Sequence, residues 1–246
     1  MGESPVKSSW AAVALILALG LVVSSWILTG GLVKIKAGDN TITVTGSAKK
    51  QIKSDLVVWS GNYSCTAASQ VEAYTQLKEH QNKVKAYLSD KGIGNAEMVF
   101  SSINTVVNHT LLPNGQYSNQ IESYSLNQSV EIRSKDVEKL TQLARESTEL
   151  INQGVNFQSN PPQYFYTRIA DLKVEMLALA TKDANSRAQQ IAENAGSKAG
   201  SLRAAKMGVF QITPLYSNDI SDYGVNDTSS LDKEITAVVT CTFQIK

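Results

Sequence analysis

The distribution of apolar and polar positions divides the chain into one unbroken apolar run and a long remainder of alternating patterns. From Ser8 to Val33 no side chain is charged. At about 1.5 Å of rise per residue, such a helix crosses the roughly 30 Å of hydrocarbon in a bilayer. Trp10 and Trp26 stand where interfacial aromatics sit, with Leu15, Leu19 and Val23 in the apolar body between them. The run is longer than the roughly 7–15 apolar residues of a secretory signal and has no small-x-small site followed by a polar start. The pattern therefore predicts an uncleaved transmembrane anchor over 10–33, a short tail over 1–9 and a linker over 34–40.

Beyond the linker the period changes. The β-branched stretch Asn40 to Gly46 reads as a short strand ending at its glycine. A longer strand follows from Ile52 to Thr66, with Val57, Trp59, Tyr63 and Cys65 on one face and Ser60, Asn62 and Ser64 on the other. Ser69 to Glu72 has the spacing of a capping box. It starts a helix whose stripe is Val71, Tyr74, Leu77, Val84 and Leu88, and which stops at Gly92. Between Met98 and Arg133 the alternation returns as two long strands, joined by a hairpin near Leu112, Pro113, Asn114 and Gly115, where Asn-Gly tolerates positive φ. A second helix is expected from Lys135 to Asn152, with Val137, Leu140, Leu143, Leu150 and Ile151 inward. After a short strand over 155–158, Asn160-Pro161-Pro162 breaks the chain.

The longest helix after the anchor is expected from Tyr166 to Ala195. Its apolar face carries Ile169, Leu172, Met176 and Leu177, then narrows to Ala180, Ala184, Ala188 and Ala192 at four-residue spacing. Alanine is the strongest helix former, and a row of small side chains also lets another backbone approach closely. Strand over 201–216, a polar loop over 217–231 and a closing strand over 234–246 complete the order. In the last, Ile235, Ala237, Val239, Cys241, Phe243 and Ile245 alternate. The sum predicts an α+β fold, a largely antiparallel sheet backed by helices, over 41–246, with one N-terminal transmembrane helix.

Composition narrows the functional classes. A net charge of +1 provides no basic field, so no nucleic-acid partner is expected. Cys65 and Cys241 form no CxxC and have no histidine at zinc-site spacing, so no metal or other cofactor is indicated. Both cysteines fall on apolar strand faces, which leaves open a disulfide in an oxidising compartment or two free buried thiols. His80 and His109 have no nucleophile or ligand partner at motif spacing and read as solvated surface residues. Gly92-Ile93-Gly94 follows a helix, where a dinucleotide fingerprint would follow a strand, and reads as a turn. No enzymatic activity is expected.

Four stretches carry a family resemblance: ITVTGSAKKQIKSD from Ile42, IESYSLNQSVEIRSKDVEKL from Ile121, ALATKDANSRAQQIAENAGSKAG from Ala178, and ITAVVTCTFQIK from Ile235. Together they resemble the SIMPL-domain family, also known as DUF541, over about Thr41 to Lys246. The resemblance implies a bacterial envelope protein, exported or membrane-anchored, that assembles into large rings and in some members is linked to oxidative stress. It supplies no catalytic residue. The chain departs from the family pattern at Asn160 to Tyr166, where many relatives have a shorter acidic approach to the helix.

These readings define the expected function: a membrane-anchored, self-assembling envelope protein, in contact with lipid through its helix and with copies of itself or another envelope protein. The alternative is an extracytoplasmic module binding a small molecule or envelope partner in a concave apolar pocket. The lysines at 34, 36, 49, 50 and 53, against Lys7 alone before the helix, count toward a cytoplasmic domain. The resemblance points instead to a single pass through the bacterial inner membrane with a periplasmic domain, and large domains translocate largely regardless of charge. The expected assembly element is the hairpin, with Asn108, Leu112, Asn114 and Tyr117 at its end.

Overall fold

The computed structural model describes residues 15–29 and 40–246. In chain order the elements are α1 (15–29), β1 (Thr41–Lys53), β2 (Leu56–Ala67), α2 (Gln70–Asp90), β3 (Met98–Phe100), β4 (Asn104–Leu111) and β5 (Tyr117–Ser134). Then follow α3 (Val137–Glu146), β6 (Asn156–Ser159), β7 (Gln163–Phe165), α4 (Ile169–Asn194), β8 (Ala199–Met207), β9 (Gln211–Pro214), β10 (Val225–Asn226) and β11 (Asp232–Ile245). The described residues form an α+β fold with mainly antiparallel sheets. The chain divides into two compact units, and β1, α4 and β11 each contribute residues to both.

The larger unit comprises Lys49–Val174 and Val209–Thr236. Its sheet has the order β3-β5-β2-β6, with β4 added to β5 and β7 to β2, all antiparallel. The expected alternation in β2 is realised: Val57, Trp59, Tyr63 and Cys65 are buried and form one core with Leu77, Val84 and Leu88 of α2 and Leu140 and Leu143 of α3. Polar groups taken into this core find partners, as burial requires. The Trp59 indole N–H donates to Ser159 Oγ (3.0 Å), and that hydroxyl donates to the Ala144 carbonyl (2.7 Å). The Tyr63 hydroxyl donates to Gln128 Oε1 (2.6 Å), whose amide donates to the Ser101 carbonyl (2.7 Å).

Several elements differ from the sequence expectation, each for a local reason. Gly46 does not end β1, which continues to Lys53. The strand expected from Ile52 is interrupted at Ser54 and Asp55. Their amides donate to the Leu231 and Phe165 carbonyls, and the Asp55 carboxylate accepts from the Thr167 amide and hydroxyl. In α2 the serine half of the capping box forms, Ser69 Oγ accepting from the Glu72 amide, but Val71 and Tyr74 are exposed while Ala73 and Tyr87 are buried. The second helix tightens into a 3₁₀ turn over Ser147–Gln153, which swings Ile151 outward while Leu150 stays inside. β7 forms after the two prolines, where a break alone was expected. The strand expected over 201–216 is divided into β8 and β9, and the polar loop holds β10, the parallel partner of β9.

Of the described residues, the smaller unit comprises 15–29, 40–48, Glu175–Gly208 and Ala237–Lys246. Within it β11 pairs with β1 and, antiparallel, with β8. Ala237, Val239, Cys241 and Phe243 alternate inward as expected, whereas Ile245 is only half-buried. On the opposite face hydroxyls pair across the strands, Thr43 with Thr242 (3.0 Å) and Thr45 with Thr240 (3.3 Å). α1 is exposed along its length. Over 15–29 it rises about 22 Å at about 1.5 Å per residue, and among the described residues no helix is long and apolar enough to cross a membrane. Residues 8–14 and 30–33 of the expected span, with Trp10, and the linker over 34–39 lie outside the described residues.

Candidate functional site

The hairpin of β4 and β5 carries a group of apolar side chains that its own chain leaves exposed. At its base β5 belongs to the core, with Leu126, Val130 and Ile132 buried. Toward the tip the pairing continues, from Asn104↔Asn127 to Leu111↔Tyr117, but the core does not. Val106, Val107, Leu111, Leu112, Tyr117 and Ile121 are all exposed, Leu111 at 58% and Tyr117 at 75%. Covering the half-exposed area of such side chains is worth on the order of 1 kcal/mol each.

Local chemistry shapes the turn. Gly115 adopts φ +80°, a left-handed conformation that glycine takes without strain, and its amide donates to the Leu112 carbonyl (2.9 Å). The Leu112 amide donates to the Gln116 carbonyl, and Asn114 Oδ1 accepts from the Gln116 amide (3.1 Å). Farther down, Asn108 Nδ2 donates to both Ser123 Oγ (3.0 Å) and Ser125 Oγ (2.7 Å), tying the two strands together. A register shift follows Asn108, pairing His109 with Ile121 and leaving Glu122 at the irregularity.

Edge chemistry sets this hairpin apart. Among the described residues β4 pairs only with β5, so its other edge presents backbone groups to solvent. Strand edges are commonly guarded by charge or proline. β4 has neither, and from Met98 to Val130 the chain holds no lysine or arginine and a single acid, Glu122.

The other expected site residues fall elsewhere. Ala180, Ala184, Ala188 and Ala192 are all buried, and the close approach occurs at Gly46 of β1. A Cβ placed there would lie 2.3 Å from the Ala180 carbonyl oxygen and 2.4 Å from the Ala184 amide nitrogen. The row of small side chains therefore receives a strand of its own chain. At the same junction the Ser47 amide and Arg187 Nε both donate to Asp183 Oδ2 (2.8 Å each), and the Ser47 amide is the main cause holding the Asp183 carboxyl below the usual carboxylate range.

The disulfide between Cys65 and Cys241 is not formed. Both thiols are free and buried, Cys65 in the larger unit and Cys241 in the smaller. Cys65 Sγ donates to the Ala73 carbonyl (2.8 Å), and burial pushes both thiols above their usual range. Leu15, Leu19, Val23 and Trp26 are exposed on α1. His80 and His109 are half-buried where solvated positions were expected, and neither Nδ1 has a hydrogen-bond partner among the described residues.

Two features had no counterpart in the sequence reading. Lys233 is 2% exposed, and its ammonium donates to the carbonyls of Tyr164 (2.7 Å) and Asp227 (2.5 Å), while burial pulls its pKa down. The inward alternation of β11, extended back by two residues from Ile235, reaches this lysine, so parity carried a signal that residue type concealed. A cleft of about 510 Å³ is lined by Val58, Glu131, Asn160, Pro161, Pro162 and Gln163, with Ser60, Thr228 and Ser229. Its polar groups are largely engaged with the chain itself. Ser60 Oγ accepts from Asn160 Nδ2, and the Ser229 amide and hydroxyl donate to Asp227. Among the described residues no group of three or more His, Cys, Asp or Glu side chains is placed to hold a metal ion.

The chain matches the SIMPL family model, described as a protein of unknown function (DUF541), over residues 42–243. No curated protein matches the chain.

Proposed function

The chain belongs to the SIMPL (DUF541) family, and from that premise we propose that it is a membrane-anchored envelope protein whose copies assemble side by side, with a structural or stress-related role. The observation that carries this reading is the β4–β5 hairpin: β4 offers a free, uncharged strand edge, and the hairpin as a whole leaves six apolar side chains exposed. A two-stranded ribbon is marginal in isolation, and an unguarded edge is a template for another strand. A neighbouring copy supplies both the missing strand and the missing apolar cover.

The anchor belongs to the same proposal. The uncharged sequence from Ser8 to Val33 is long enough to span a bilayer and to hold copies in one plane. Confinement raises their effective concentration, and a shared orientation favours cyclic arrangements about the membrane normal. The domain is placed on the periplasmic face of a bacterial inner membrane. The alternative, a small-molecule binding module, draws less support, because the cleft beside Pro161 and Pro162 has spent most of its hydrogen-bonding groups internally.

Electron microscopy of the detergent-extracted full chain is expected to show closed particles of many copies; uniform monomers would overturn the assembly reading. Protease added to intact spheroplasts is expected to degrade the domain. Survival of the domain until lysis would place it in the cytoplasm.

A further inference from the structure

The smaller unit contains a second incomplete surface. β8 is nine residues long and pairs, among the described residues, with β11 alone. Directly opposed residues of an antiparallel pair share a face. The register therefore sets Leu202 on the face of Phe243, Ala205 on that of Cys241, and Met207 on that of Val239. The three β11 residues are buried, yet their β8 neighbours are exposed, Leu202 at 47% and Met207 at 55%. The inward face of the sheet thus continues onto β8 and is left uncovered there.

We infer that β8 is the acceptor for the β4–β5 hairpin of a second copy, which adds β4 to the open edge of β8 and sets its apolar side chains beside Leu202, Ala205 and Met207 on the same face. This deepens the assembly reading and rests on it. Lengths agree, eight residues in β4 against nine in β8. Charges are opposite in sign: β8 carries Arg203 and Lys206, while the hairpin from Asn104 to Val130 carries Glu122 and no lysine or arginine. Arg203 is engaged with Gln244 (2.5 Å), whereas neither Lys206 nor Glu122 has an ion-pair partner among the described residues. Each copy holds one donor and one acceptor of different structure, so the contact is head-to-tail, the kind that closes into rings.

Complementation between two defective chains tests this. One full-length chain carries Val107→Asp and Leu111→Asp in the hairpin; the other carries Ala205→Asp and Met207→Asp on β8. All four positions are exposed, so each chain is expected to keep the wild-type circular dichroism spectrum and to run as a monomer in detergent. Mixed in equal amounts, they are expected to form a capped dimer, because the second chain's intact hairpin meets the first chain's intact β8. A β8 variant that assembles like wild type, or a mixture that stays monomeric, overturns the acceptor assignment while leaving the hairpin reading in place. A hairpin variant that assembles like wild type overturns both. Should either chain fail to fold, Glu122→Lys and Lys206→Glu replace them. Each single change is expected to lower the assembled fraction several-fold and the pair together to restore it, and failure of the pair to restore it counts against the acceptor.

Discussion

The two ends of β5 show how one strand serves two purposes. Around Ile132 every inward side chain is buried, and Val57 to Ala67 of β2 pair with the strand residue for residue. Around Ile121 the antiparallel pairing continues through a register shift, with one partner strand fewer and no core beneath. Both ends are strand-paired, but they differ in whether the chain supplies the surface that covers the side chains. The base is complete within one molecule. At the tip, Val106, Val107, Leu111 and Ile121 find no such cover among the described residues.

The same substitution at the two ends sharpens this contrast most. Ile132→Ala empties a fully buried site and is expected to cost about 2–5 kcal/mol in a denaturant melt. Ile121→Ala removes an exposed side chain and is expected to change the stability of the monomer by less than about 0.5 kcal/mol. Equal costs would mean that the tip is packed by its own chain.

A smaller effect is expected at Gly46, where the closed kind of contact is tightest. Gly46→Ala would place its Cβ inside the contact distance of the Ala180 carbonyl and Ala184 amide. Helix and strand must then part, at a cost of about 1–3 kcal/mol. A neutral result in thermal or denaturant unfolding would remove the close approach from the account.

Smaller again is the acid dependence of the Ser47–Asp183–Arg187 cluster. Asp183 has its folded-state pKa lowered, first by the Ser47 amide. Its contribution is therefore fully present above the ordinary aspartate value of about 4 and is lost as pH falls through the folded value. Asp183→Asn is expected to flatten this part of the stability profile below about pH 4 and to leave its shape unchanged near neutrality. A variant profile as steep as wild type would show that other carboxylates carry the acid response.

Legibility from sequence followed the same division between closed and open surfaces. Alternation located the buried faces of β2 and β11 because large apolar residues recur there at period two. It misjudged α2, where Ala73, too small to stand out, lies inside while Val71 and Tyr74 lie outside. Ile151 was misplaced because a 3₁₀ turn has about three residues per turn and rotates the face that an α-helical period assigns. β7 and β10, of three and two residues, are too short to carry a period. Gly46 was legible as a glycine but misread as a terminator, since its role depends on a helix more than a hundred residues later. The hairpin was legible as long, but its exposed apolar side chains and the uncovered face of β8 became visible only once the register was known.

The most direct test of the assembly account is the native mass of the full chain in detergent, measured by light scattering, before and after residues 108–117 are replaced by a short glycine-containing turn. The account predicts a multi-copy particle for the full chain, a monomer for the shortened one, and the same thermal unfolding midpoint for the two domains once dissociated. A shortened chain that keeps the full particle mass would contradict it and place the contacts outside the hairpin.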